Sequence, residues 1–203
     1  MVAVIDYDAG NIRSVEKAMI ALGEDVVVTR DENEIMSADH VILPGVGAFG
    51  EAMEKLHKYG LTRVIRNVVN QGTPFLGICL GLQLLFESSE ECEGVEGLGI
   101  LKGHIVKLPE DQGLKIPHVG WNCLRYPNQG RLFEDIPEEP YVYFVHSYYL
   151  RAEEPEIVTA TTEYAALIHA SVEKGNVFAC QFHPEKSSDT GMRILKNFLS
   201  ISC

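Results

Sequence analysis

Apolar positions in this chain follow two regimes. Up to about residue 87, short apolar runs alternate with stretches whose apolar residues recur every three or four positions. Residues 2–5 read as a buried strand. Residues 11–22 read as a helix with Ile12, Val15, Met19 and Leu22 on one face, ended by Gly23. Strands at 26–28 and 41–43 flank a short helix at 32–38. A longer helical stretch covers 51–70, with Gly60 as its point of interruption, and a strand at 74–78 leads into a helix at 80–87. Such alternation predicts right-handed crossovers and a mainly parallel central sheet flanked by helices, an α/β fold. From Gly99 the pattern changes. Runs at 100–108, 121–125, 141–149, 157–162, 166–172 and 177–182 read as short strands between turns, adding antiparallel strands to the C-terminal half. Ser188 or Asp189 is placed to cap a final helix through Leu199. There is no internal repeat, low-complexity segment or linker, so one domain over residues 1–203 is expected.

Composition narrows the function classes. Hydrophobic content of 46% and charged content of 23% are those of an ordinary globular chain. No apolar run has membrane-spanning length, and the first residues read as a strand rather than a signal peptide. A formal charge of −12 argues against nucleic acid or an anionic membrane as partner, though not against a protein with a basic face. The five cysteines (79, 92, 123, 180 and 203) are odd in number and form no CxxC, so neither a disulfide framework nor a zinc site is indicated. A reducing, cytoplasmic setting, no metal and no cofactor are expected.

Three motifs carry candidate chemistry, each at the end of an expected strand. In Gly77-Ile-Cys79-Leu-Gly81 a strand turns sharply into a helix. That is the layout of a nucleophile elbow, with Cys79 at the turn and at a helix N-terminus that favours a thiolate. In His183-Pro-Glu185 a histidine ends a strand with a carboxylate two residues on. In extended chain both side chains point the same way, so Glu185 can fix the tautomer of His183 while His183 faces a nucleophile. The loop Pro44-Gly45-Val46-Gly47 offers backbone N–H groups near the surface, the donors an oxyanion hole requires, with Leu80 as a further donor after the nucleophile. It lacks the Gly-Lys-Ser/Thr ending of a phosphate loop.

These runs resemble the class I (triad-type) glutamine amidotransferases, and the likeness extends over almost the whole chain. Asp8-Ala-Gly-Asn11, the 44–50 loop, Cys79 to Phe86, Pro117-His-Val-Gly-Trp-Asn122, Tyr143 to Tyr148 and Gln181 to Ser187 are similar to the branch formed by glutaminase subunits of imidazole glycerol phosphate synthases. Leu82 stands where methionine is more usual in that family, a swap of similar volume. The resemblance implies a flavodoxin-like fold and hydrolysis of L-glutamine through a cysteinyl thioester. Cys79, His183 and Glu185 are then the triad. Gly45, Val46, Gly47 and Leu80 form the oxyanion hole, and Gln83, Glu91, Ser147 and Tyr148 bind substrate. It further implies a (β/α)8-barrel cyclase as partner, which receives the ammonia and meets a face including Asn11, Trp121, Tyr143 and Lys186. The 45–47 segment would switch its peptide orientation when the loaded partner docks, because glycine neighbours make such a flip cheap. Other readings are a different class I amidotransferase, a cysteine peptidase of the same triad geometry, and a binding module that keeps the fold. Glu91 also reads as a solvated charge in an acidic run, and Trp121 as a core aromatic.

Overall fold

The computed structural model describes residues 1–110 and 113–202; Cys203 lies outside the described residues. The first half runs β1 (Val2–Ile5), α1 (Ile12–Ala21), β2 (Val26–Thr29), α2 (Glu32–Met36), β3 (His40–Leu43), α3 (Phe49–Lys58), α4 (Leu61–Gln71), β4 (Phe75–Ile78) and α5 (Leu80–Leu84). The second half adds β5 (Ser88–Ser89), β6 (Gly103–Lys107), β7 (His118–Cys123), β8 (Tyr141–His146), β9 (Tyr148–Ala152), β10 (Val158–Tyr164), β11 (Ala166–Lys174), β12 (Val177–Cys180) and α6 (Ser188–Leu199).

Seven strands form one sheet in the order β10-β11-β12-β4-β3-β1-β2. The run β12-β4-β3-β1-β2 is parallel, while β10 and β11 extend it antiparallel. The parallel part has the doubly wound order of flavodoxin-like folds. Because side chains alternate along a strand, the sheet splits the core in two. Ala3, Ile5, Val41, Leu43 and Phe75 pack on one face against α2, α3 and α4. Val2, Val4, Ile42, Leu76 and Ile78 pack on the other against α1 and α6. A three-stranded sheet (β5-β6-β9) and a two-stranded sheet (β7-β8) complete the C-terminal half. Among the described residues no helix is long and apolar enough to cross a membrane.

The structure changes several expected boundaries. The 51–70 stretch is two helices, because Gly60 adopts φ 68° and breaks the hydrogen-bond ladder. The helix expected over 80–87 stops at Leu84, and the chain passes into the short strand β5. The strand expected over 141–149 divides at Ser147, so that β8 pairs with β7 and β9 with β6. The final helix begins after Ser187 rather than at a Ser188 or Asp189 cap. The Ser187 hydroxyl donates instead to the His183 carbonyl, 2.6 Å away.

One close approach fixes α6 against the turn that carries Glu185. A Cβ on Gly191 would stand 1.9 Å from the Pro184 carbonyl oxygen. Helix propensity alone favours Gly191→Ala by ~1 kcal/mol. The clash with backbone is larger, so the variant is expected to lose at least ~2 kcal/mol, a fall in Tm of ~4–8 °C. Thermal unfolding decides by sign: a raised Tm would show that the backbones can part at little cost.

Candidate active site

Cys79 follows β4 and adopts φ 55°, ψ −107°, a strained conformation for a residue with a Cβ. Its N–H donates to the carbonyl of Cys180, the last residue of β12, at 2.8 Å, which continues the β4–β12 pairing one residue past the end of β4. Its own carbonyl accepts from the Leu82 N–H at 3.1 Å and so starts α5. The two glycines around it are required by contact rather than by φ. A Cβ on Gly77 would meet the Gly81 carbonyl oxygen at 2.8 Å, and one on Gly81 would meet the Leu43 carbonyl oxygen at 1.9 Å. Thus β3, β4 and α5 approach closely enough to lock the elbow.

His183 lies past the end of β12, with its N–H on the Tyr143 carbonyl at 2.9 Å. The Tyr143 N–H in turn meets the Ser187 hydroxyl at 2.9 Å, so β8 brackets the 183–187 segment from both ends. The His183 Nδ1 is 2.7 Å from Glu185 Oε1, and both side chains are fully buried. The expected pairing is present for a different local reason. Residues 184–186 form a turn of 3-10 helix, not extended chain, and the turn swings the carboxylate back onto the ring. Asn11, in left-handed conformation before α1, donates its amide to the same Glu185 oxygen at 2.5 Å.

His183 Nε2 is buried and has no hydrogen-bond partner among the described residues. Burial alone lowers the pKa of this imidazole, but the neighbouring Cys79 and the Glu185 carboxylate on Nδ1 raise it to about 9. The ring is therefore charged at neutral pH, beside the sulfur and the carboxylate.

Val46, Gly47, Cys79, Leu80, Gln83, Glu91, Val145, His146, Ser147 and Tyr148 line a cleft of about 270 Å³ over the sulfur. Larger and more open hollows, such as one of about 700 Å³ beside Arg131 and Glu173, contain neither Cys79 nor His183. All the residues expected to form the oxyanion hole and bind substrate line this cleft except Gly45, whose carbonyl is hydrogen-bonded to Leu80 of the lining. The expected donors are not all aimed into the cleft. The Leu80 N–H donates to the Gly45 carbonyl at 3.3 Å and is therefore already taken by the loop. Glu91 is neither a freely solvated charge nor a bare pocket wall. Its carboxylate accepts the Phe49 N–H at 2.8 Å and thereby holds the start of α3 beside the cleft.

Of the expected partner face, Trp121 is half exposed and stands edge-on to Tyr143 at 6.1 Å. It is not a core aromatic. Lys186 is exposed, whereas Asn11 is half-buried in the Glu185 network. Sequence reasoning missed Asn11's contact with Glu185, and also missed Tyr7, Gln181, His118 and His146. Tyr7 is buried and donates to the Pro44 carbonyl at 2.9 Å, bracing the glycine loop from below. Burial also pushes the Tyr7 hydroxyl pKa well up, so it remains a donor. Gln181 is fully buried and directs its amide at the Cys79 sulfur, 3.7 Å away. Its position two residues before His183, at a strand end, was the available signal.

Three metal-ligand atoms, from Glu87, His104 and Glu153, lie within 4.8 Å of one another, but all three residues are exposed. His104 already pairs with Ser88 at 2.8 Å and with Glu153 at 3.3 Å.

Residues 3–201 match the family described as glutamine amidotransferase class-I. The imidazole glycerol phosphate synthase subunit HisH of Moorella thermoacetica is 53% identical over 197 residues, covering 97% of this chain and 93% of that protein. The protein of the same name from Methanocaldococcus jannaschii is 45% identical, covering 99% of this chain and all of that protein. The chain belongs to the class I glutamine amidotransferase family, in its HisH branch. Among solved structures, a glutamine amidotransferase superposes with TM-score 0.76 at 21% identity, over 98% of this chain and 97% of that one. A glutamine amidotransferase of Thermotoga maritima superposes with TM-score 0.65 at 17% identity, over 98% of this chain and 81% of that one. Both share the fold of this amidotransferase.

The raised pKa of His183 yields a pH dependence. Its charged form is stabilised in the folded state, so this stabilisation is fully present below about 6.5 and is lost as pH rises through about 9. An NMR titration should place the ring's midpoint near 9, with a lower value in Glu185→Gln. A wild-type midpoint at or below 6.5 would contradict the electrostatic account.

Proposed function

We propose that this chain is the glutaminase subunit of an imidazole glycerol phosphate synthase of histidine biosynthesis. In this reading it hydrolyses L-glutamine at Cys79 and passes the ammonia to a (β/α)8-barrel cyclase. The observation that carries the reading is the buried Glu185–His183 pair, with its unpartnered Nε2, beside a strained cysteine at the floor of a small cleft. The names of the relatives support the branch.

The steps follow from the groups present. Glutamine enters with its side-chain carboxamide over Cys79, and the thiolate attacks the carbonyl carbon. The C–N bond breaks as the Nε2 proton of His183 passes to the leaving nitrogen, giving ammonia and a glutamyl thioester. His183, now neutral, takes a proton from water. The resulting hydroxide attacks the thioester, and glutamate leaves as the thiolate is restored. Glu185 accepts from Nδ1 throughout, holding the ring's orientation and stabilising its charge. Gln83, Glu91, Ser147 and Tyr148 hold the amino-acid end of the substrate.

Control resides in the glycine loop. With the Leu80 N–H taken by the Gly45 carbonyl, the oxyanion hole is short of a donor. Turning over the 45–46 peptide places the Val46 N–H in the hole and frees that of Leu80. Gly47, at φ 105°, accommodates the change on one side. A missing oxyanion donor lowers the rate by ~10²–10³, so the lone subunit is nearly silent until the cyclase docks with its nucleotide. The docking face centres on the β7–β8 ribbon, where Val119, Trp121 and Tyr141 expose large apolar area next to Tyr143. Aromatic anchors of this kind dominate interface energies. Lys186 borders the ribbon and supplies a cation. A reducing, cytoplasmic setting keeps the Cys79 thiol available.

Glutamate release should be barely detectable for the chain alone and should rise ~10²–10³-fold with the ligand-loaded cyclase barrel. Steady turnover that ignores the cyclase would place the chain in another amidotransferase branch. In the complex, Glu185→Gln is expected to slow turnover by up to ~10⁴, and near-normal activity would remove Glu185 from the triad. Trp121→Ala should weaken cyclase binding by ~2 kcal/mol, about thirtyfold. An unchanged Kd would move the docking face elsewhere.

A further inference from the structure

Two histidines outside the triad are buried beside the cleft: His146, which lines it, and His118, which does not, with only 6% and 2% of their surface exposed. The His118 ring is stacked between Phe144 and Tyr164, at centroid distances of 4.7 and 4.0 Å. His118 Nδ1 is 3.0 Å from His146 Nε2. The proton positions in this pair are fixed from both ends.

At the outer end, the amide of Asn122 has its orientation set by the backbone. Its Oδ1 accepts the Cys123 N–H at 2.9 Å, and its Nδ2 donates to the Glu163 carbonyl at 3.0 Å. The same Nδ2 is 3.4 Å from His118 Nε2, so that ring nitrogen is an acceptor and the His118 proton is on Nδ1. At the inner end, His146 Nδ1 is 3.0 Å from the Tyr148 carbonyl. A carbonyl only accepts, so the His146 proton is also on Nδ1, and Nε2 is free to accept from His118. Both ends demand the same direction. Burial agrees, lowering the pKa of His118 to about 4 and that of His146 to about 3, so both rings are neutral at ordinary pH.

The chain of donors continues towards the nucleophile. The Tyr148 carbonyl also accepts from Gln83 Nε2 at 3.0 Å. Gln83 donates to Gln181 Oε1 at 3.1 Å, and Gln181 Nε2 is 3.7 Å from the Cys79 sulfur. Gln83 is 5% exposed and Gln181 not at all.

We propose that His118 and His146 are positioning residues, a fixed-tautomer relay that pins the Tyr148 carbonyl and with it the wall on which glutamine is held. The proposal rests on the reading of this cleft as a glutamine site. The relay touches no reacting atom. It acts through the Ser147–Tyr148 backbone, so its loss falls mainly on KM rather than on kcat.

The direct test uses the wild-type protein. Long-range ¹H–¹⁵N correlation on histidine-labelled chain at neutral pH should show both rings neutral and protonated at Nδ1. A charged ring, or a proton on Nε2 of either, overturns the relay. The functional arm uses the complex with the cyclase. His146→Asn keeps an amide donor close to the place of Nδ1, whereas His146→Gln moves the amide to the place of Nε2 and loses that donor. His146→Gln is expected to raise KM for glutamine about tenfold, the worth of one buried hydrogen bond, and His146→Asn to recover most of it. An unchanged KM in His146→Gln, or equal losses in both variants, overturns the positioning role. Should His146→Gln fail to fold, the wild-type tautomers still decide. Wild-type complex that hydrolyses no glutamine refutes the reading of the cleft. Active wild type with unmoved KM in the variant refutes the relay alone.

Discussion

The backbone at Cys79 is held in a conformation that a residue with a side chain avoids, and much of the site depends on how it is held there. Strain of this kind costs about 1–3 kcal/mol and persists only where the surroundings over-determine it. Here they do so from three directions. The sheet fixes the residue from one side through the Cys180 carbonyl, and α5 starts from its own carbonyl on the other. The contacts of Gly77 and Gly81 leave no room for the turn to relax, since Gly81 lies directly against the β3 carbonyl of Leu43. The result is a sulfur at the C-terminal edge of the parallel strands, where β3 delivers the glycine loop and β12 delivers His183.

Electrostatics then divide the buried histidines into two kinds. His183 gains a carboxylate and a sulfur as neighbours, and these outweigh desolvation, so it is held charged. His118 and His146 gain no carboxylate, so desolvation prevails, helped at His146 by the repulsion of neighbouring His118 and His183, and both are held uncharged. One buried region therefore holds a charged imidazole beside the Cys79 sulfur and, close by, neutral rings that direct hydrogen bonds. The difference lies in what each ring faces rather than in how deeply it is buried.

The sequence made the parallel half of the sheet legible because it is written in local signals: short buried runs, periodic helices, and glycines at the turns. Cys79, His183 and the 44–47 loop were legible because strand ends in such a sheet converge. The remainder depends on long-range contacts that local pattern does not encode. Nothing near Asn11 indicates that its amide meets Glu185, 174 residues away. The acidic run around Glu91 does not indicate that one member caps α3. Sequence reasoning paired Glu185 with His183 through extended geometry, whereas the chain achieves it through a 3-10 turn, so a correct contact was reached from the wrong backbone. The division at Ser147 was invisible because β8 and β9 are both apolar and nearly continuous, and only their different pairing partners separate them.

The most direct test of the central claim is to mix the chain, with the loaded cyclase present, with glutamine, quench in acid, and map any adduct by mass spectrometry. The account predicts a glutamyl group on the peptide bearing Cys79, absent from Cys79→Ser and accumulating when His183 is replaced by a residue that slows hydrolysis more than acylation. Glutamate release with no adduct on Cys79 under any of these conditions, or release that survives in Cys79→Ser, would contradict it.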